Sequence, residues 1–179
     1  MLRVMTLIVV VGSVAVVSCG PQGASVQINT GDTSPPVVFS LETLGRQGGE
    51  VRVSQTSGPM SATLSPTDSL AVAARVDDPD GVKQVAIWGT EKKTCTDPTG
   101  VGTVTGPGLA GAPLIDSTDN ATSGTTTNQR TISQPVRVAD YTCPQGQKMS
   151  LELVFWATGQ NYGGGTAQSD HLTLTFTTP

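Results

Sequence analysis

Residues 69–88 read SLAVAARVDDPDGVKQVAIW, and this stretch decides the fold class. Leu70, Val72, Ala74 and Val76 recur with a period of two, leaving Ala71, Ala73 and Arg75 on the opposite face. An apolar/polar alternation of this kind is the mark of a half-buried β-strand, because successive side chains point to opposite faces of a sheet. Asp78-Pro79-Asp80-Gly81 then supplies a turn: Asp can bond its own backbone, and Gly tolerates positive φ. After it Val85 and Ile87 resume the period, beside Ala86 and Trp88. Strand, tight turn, strand is the reading.

The same pattern extends along the chain. Val37, Phe39 and Leu41 alternate, as do Val51 and Val53. Further on, Leu151, Leu153, Phe155 and Ala157 form one set and Leu172, Leu174 and Phe176 another, with His171, Thr173 and Thr175 on the outer face of the last run. Gly, Pro, Asp and Asn separate these runs, and no stretch of about twelve residues shows capped helical spacing. Strands without intervening helices bury their apolar faces best as two packed antiparallel sheets, so the fold class is all-β, a sandwich. Residues 97–130 break the rhythm. This stretch of Thr, Gly, Asp, Asn and Pro is too long for an ordinary connection, and is expected to hold an edge strand or two plus a mobile excursion.

The 179 residues allow one domain with tails. Charged residues make up only 13%, and the net charge of −4 leaves no basic surface for phosphates, which argues against nucleic-acid binding. At the start, Arg3 precedes an apolar run from Val4 to Val17, broken by Thr6, Gly12 and Ser13. About 14 residues is short of the ~20 a membrane-spanning helix needs, and fits a secretory signal instead. Removing it takes away one base and no acid. Residues 20–36 (GPQGASVQINTGDTSPP) lack any hydrophobic period and are expected to form a flexible tether.

Val16-Val17-Ser18-Cys19 resembles the lipobox of bacterial lipoproteins, with Val16 where the family usually has Leu. The resemblance implies a signal peptide over 1–18, lipidation of Cys19 and a membrane partner reached through that lipid. Two or three acyl chains hold a protein stably to a bilayer, where one is marginal. Gly20 in place of Asp implies the outer membrane in a Gram-negative cell, and otherwise the cell surface.

With Cys19 assigned to lipid, Cys95 and Cys143 remain as an even pair in an exported chain and are expected to form a disulfide. A loop of about 48 residues gives roughly 4 kcal/mol of restraint on the unfolded chain in the entropy account.

The run Ser69–Trp88 also looks like the central strand pair of bacterial immunoglobulin-like domains, where an Asp-rich D-x-D-G turn links two strands. Met149–Phe176 is similar to their closing strands, keeping Ala157 and the Asn161-Tyr162-Gly163 step, with Gly159 replacing the usual acid and a turn one residue longer. The resemblance implies an immunoglobulin-like sandwich over 37–179, acting as a spacer, adhesion or ligand-binding module. The disulfide between core strands of antibody domains is not carried over, since Cys95 and Cys143 lie in turn-like surroundings.

Candidate sites are few. Asp77, Asp78 and Asp80 are close enough in sequence to suit calcium, but the acid that a calcium loop requires further on is missing, and the Asp-Pro-Asp-Gly turn is the stronger reading of them. His171 beside Asp170 has no nucleophile elbow to serve, so no enzyme and no cofactor are expected. Trp88 and Trp156 stand out of phase with the apolar set; each suits a place beneath a loop or at a sheet edge, or, if both share one face, a platform for a protein or glycan ligand together with Tyr141 and Tyr162. The sequence thus points to a non-catalytic, lipid-anchored binding or adhesion module. A structural envelope spacer and an accessory domain of a secreted hydrolase are the alternatives.

Overall fold

The computed structural model describes residues 24–31, 33–35, 37–44, 59–108 and 112–178. The expected signal peptide, Cys19, and the Val51 and Val53 run lie outside them.

The described chain is all β, a sandwich whose strands run in the order β1 (Ser25–Gln27), β2 (Val37–Leu44), β3 (Met60–Thr63), β4 (Ser69–Asp77), β5 (Val82–Thr96), β6 (Gly102–Gly108), β7 (Ile115–Thr118), β8 (Thr125–Thr127), β9 (Gln129–Arg137), β10 (Lys148–Asn161), β11 (Thr166–Gln168) and β12 (Leu172–Thr177). A single 3-10 turn covers Val138–Asp140. The larger sheet follows the order β3-β12-β10-β5-β6, with β7 added to β5 and β11 to β10; the smaller is β2-β4-β9. All pairings are antiparallel except β12 with β3.

The alternation seen in the sequence is what glues the sheets. Val72, Ala74 and Val76 of β4 meet Val85 and Ile87 of β5, Leu151, Leu153, Phe155 and Ala157 of β10 and Leu172, Leu174 and Phe176 of β12 in one core. Full burial of each Val, Leu, Ile or Phe among them is worth roughly 1.5–3 kcal/mol relative to exposure. The sheets approach so closely that a Cβ on Gly159 would stand 2.7 Å from Val76 Cγ1. Gly89 is similarly hemmed in by Leu114 and Phe155.

The Cys95–Cys143 disulfide is formed, with 5.6 Å between Cα atoms, and joins β5 to the loop that leads into β10. The Lys93 ammonium also donates to Thr142 O (3.0 Å) beside it. Within 97–130 the chain forms β6, β7 and β8 before entering β9.

The segment expected to be a tether is partly built into the domain. Ser25–Gln27 pairs with Thr125–Thr127, Asn128 N–H donates to Ala24 O, and Asn29 N–H donates to Asp80 O. The buried Asn161 amide donates to Ser34 O (2.6 Å), and Gly165 approaches Ser34 so closely that any Cβ would collide with its carbonyl. Side-chain and backbone hydrogen bonds hold this segment, with only Val26 and Ile28 as partly buried apolar residues, too few to mark it by hydrophobicity.

Candidate ligand-binding face

β10 shows an unbroken alternation of buried and partly exposed residues from Lys148 to Asn161, so Glu152, Val154, Trp156, Thr158 and Gln160 share its outer face. Its neighbour β5 pairs with it in a register that sets Trp88 directly opposite Trp156 and Gln84 opposite Gln160. Both tryptophans therefore stand on the outer face of the larger sheet, on its central strands. They do not occupy a sheet edge.

The two ring centroids lie 6.4 Å apart with planes within 5° of parallel. Trp88 Nε1–H donates to Thr158 Oγ1 (2.9 Å), which satisfies the indole and fixes its orientation. His171 packs edge-on against Trp156, with centroids 5.4 Å apart and planes at 63°. This contact follows from a change of partner along β10. Up to Phe155, opposite Leu172, β10 pairs with β12; from Thr158, opposite Gln168, it pairs with β11. At the break, Ser169 is tied to Ala157 by two hydrogen bonds of 2.9 Å, through Ser169 N–H to Ala157 O and Ala157 N–H to Ser169 Oγ. His171, one step beyond Leu172, falls level with Trp156.

Next to the indoles, an open groove of about 480 Å³ runs over the end of β10, lined by Gln84, Thr158, Gly159, Gln160, Thr166, Ala167 and Gln168. Thr158 belongs to both features, so rings and groove form one continuous surface. Every lining side chain is uncharged. Amides and hydroxyls supply both donors and acceptors there.

The other two expected platform rings are elsewhere. Tyr141 lines a small cavity of about 60 Å³ with Glu91, Leu114, Gln134 and Pro135, between the sheets. Burial first, then the nearby Glu91 carboxylate, raises its pKa above the ordinary tyrosine value. Tyr162 follows β10 in the turn that approaches Gly81. Its buried hydroxyl lies by Asp119 without a hydrogen bond of good geometry, and burial foremost raises its pKa.

Asp119 anchors that corner. Its carboxylate accepts from Ala121 N–H (3.0 Å) and the Thr126 hydroxyl (2.8 Å), and pairs with Arg130 Nη2 (2.8 Å). The Ala121 amide leads the causes, followed by Tyr162 and Thr126, that lower its pKa to about 2.

The aspartates considered for calcium diverge. Asp77 receives two bonds from the Arg75 guanidinium (2.9 and 3.1 Å) and one from Gln129 (2.9 Å). Asp78, buried, accepts from Asp80 N–H (2.8 Å) and faces the Asn161 amide, closing the turn in which Gly81 adopts φ +110°. Among the described residues, no three of His, Cys, Asp and Glu come together as a metal cluster.

Sequence reasoning found both tryptophans but not their partners. His171 was visible as an outward residue of the last strand and as a neighbour of Asp170 but not as a partner of Trp156, and Gln84, Gln160, Thr166 and Gln168 carried no motif. Comparison with known proteins finds no family model that matches the chain and no curated protein similar to it.

Proposed function

We propose that this protein is an exported bacterial lipoprotein, held to a membrane through Cys19, whose immunoglobulin-like sandwich is a non-catalytic binding module. The observation that carries the binding reading is the parallel pair of half-buried indoles, Trp88 and Trp156, on one sheet face beside an open polar groove. Partly exposed aromatic rings next to a few convergent polar groups are the usual make-up of a recognition surface. A pure spacer gains sheet stability from such a cross-strand pair but has no use for an open polar groove beside it. The lipid reading rests on Val16-Val17-Ser18-Cys19, following a charged start and an apolar run.

The test pairs two variants of the full chain in its host cell. Cys19→Ala is expected to abolish labelling by a palmitate analogue; continued labelling refutes the anchor. Trp88→Ala combined with Trp156→Ala is expected to weaken retention of the purified domain on isolated cell envelopes by tenfold or more, since buried tryptophans dominate recognition surfaces at about 2 kcal/mol or above. Unchanged retention, with the melting profile intact, removes the binding reading and leaves the spacer.

A further inference from the structure

We infer that the face formed by Trp88, Trp156 and the adjoining groove takes an uncharged polysaccharide chain. This rests on the reading of that face as the binding surface and names its ligand by chemistry.

The first argument is charge. The groove is lined by Gln84, Thr158, Gly159, Gln160, Thr166, Ala167 and Gln168 alone, with no ionised group to neutralise a ligand charge. An ionic ligand would lose hydration there without a counter-ion in return. The acids around it point the same way. Asp116 stands opposite Ala86 on the neighbouring strand, where Thr118 donates to it, and Asp170 precedes His171 at the break between β11 and β12. Together with a chain charge of −4 and with Glu152 set opposite Lys92 on the same sheet face, they disfavour an anionic polymer.

The second argument is the pairing of chemistries. Glutamine amides and threonine hydroxyls each donate and accept, as sugar hydroxyls do. The indoles offer flat, electron-rich faces that suit the slightly positive C–H groups of a pyranose ring. Their planes lie within 5° of each other at a centroid separation of 6.4 Å, so the two indoles form one stacked aromatic unit beside the groove.

The third argument is location. An extended peptide gains affinity by adding a strand to an exposed sheet edge. β5 and β10, which carry the indoles, each pair with strands on both flanks, while β11 on the far side of the groove pairs with β10 alone. A peptide lying across the indoles finds no free strand edge beneath it; a glycan has no such requirement along its backbone. From Trp156 to Gln160 the strand advances about 13 Å, so the ligand spans more than one sugar ring.

The chain contains two tryptophans, and both lie in this face, so intrinsic emission reports on it alone. The full chain in detergent is titrated with neutral hexasaccharides of β-1,4-glucose, β-1,4-mannose, β-1,4-N-acetylglucosamine and α-1,4-glucose. Hexagalacturonate and a Gln/Thr/Ser hexapeptide are the comparison probes. The expected result is a saturable emission change with at least one neutral sugar, at least tenfold weaker with hexagalacturonate and absent with the peptide. Gln168→Ala, at an exposed position, is expected to weaken that sugar several-fold with the melting profile unchanged. Equal or tighter binding of hexagalacturonate, or a response to the peptide alone, overturns the neutral-glycan inference while the binding face stands. Silence across the whole panel overturns it too, and envelope retention of the double tryptophan variant then decides separately whether the face binds anything.

Discussion

Replacing Asn161 by Ala probes the joint that holds the N-terminal segment to the sandwich. Asn161 is 1% exposed, and its side chain makes three contacts. Its amide donates to Ser34 O at 2.6 Å and faces Asp78 Oδ2 at 3.3 Å, while its carbonyl oxygen accepts from Gly165 N–H at 2.7 Å. Two well-formed bonds at about 1 kcal/mol each, plus a stranded buried N–H on Gly165 at 1 kcal/mol or more, come to roughly 3 kcal/mol. With a urea m-value of about 2 kcal/mol/M, the unfolding midpoint falls by about 1.5 M. A second readout is proteolysis, where cleavage before Val37 is expected to quicken as the Ser34 carbonyl loses the Asn161 amide. Asn161→Asp sharpens the test by setting a second carboxylate against Asp78, so its cost is expected to shrink as pH falls from 7 to 4. A midpoint shift below about 0.3 M for Asn161→Ala, with unchanged cleavage, would refute the docking of residues 24–35 on the domain.

Converting both Cys95 and Cys143 to Ser releases a loop of 48 residues and is expected to cost up to about 4 kcal/mol, read as a lower melting temperature that reductant no longer affects. An unchanged melting temperature would mean the loop is restrained without the bridge. Asp119 gives the acid limit a specific source. Its pKa is lowered from 3.8 to about 2 in the folded chain, so the stability it contributes is present above about pH 4 and lost as pH falls toward 2. Asp119→Asn is therefore expected to flatten that part of the melting-temperature profile between pH 4 and 2, and a profile parallel to the parent's would refute the assignment.

The strands of the core were legible because burial imposes a period of two on their side chains, as at Leu70 to Val76 and Leu151 to Ala157. The disulfide was legible from parity and the expected export of the chain. What escaped notice is held by hydrogen bonds or by long-range register. β1 and β8 are three residues each, made of Ser, Val, Gln and Thr, and pair across about a hundred residues through backbone bonds that any side chain permits. β6 is an edge strand of Thr, Gly and Val, with Val104 57% exposed, so no apolar face marks it. The stacking of Trp88 on Trp156 depends on how β5 and β10 align, and no short hairpin fixes that alignment. A slip of one residue would have put the rings on opposite faces. Their outward phase was readable, but their meeting was not.

The docked N-terminal segment changes what the proposed anchor means for the binding face. Ala24 and Asn29 are bonded to Asn128 and Asp80, and Ser34 to Asn161, so the chain is fixed at the end of the sandwich that carries the turns after β4 and β10. From a lipid on Cys19 to Ala24 the backbone reaches at most roughly 18 Å, far less than a free tether through residue 36 would allow. With the proposed anchor, that end would face the bilayer, and the Cys95–Cys143 bridge, at the other end of the 15-residue β5, would face away. Six residues along β5 from Val82, Trp88 stands about 20 Å up the side of the domain, above the groove at Gln84. A ligand on this face approaches from the flank of an upright domain. Such a position favours a polymer lying in the envelope around the protein over a second surface meeting its tip.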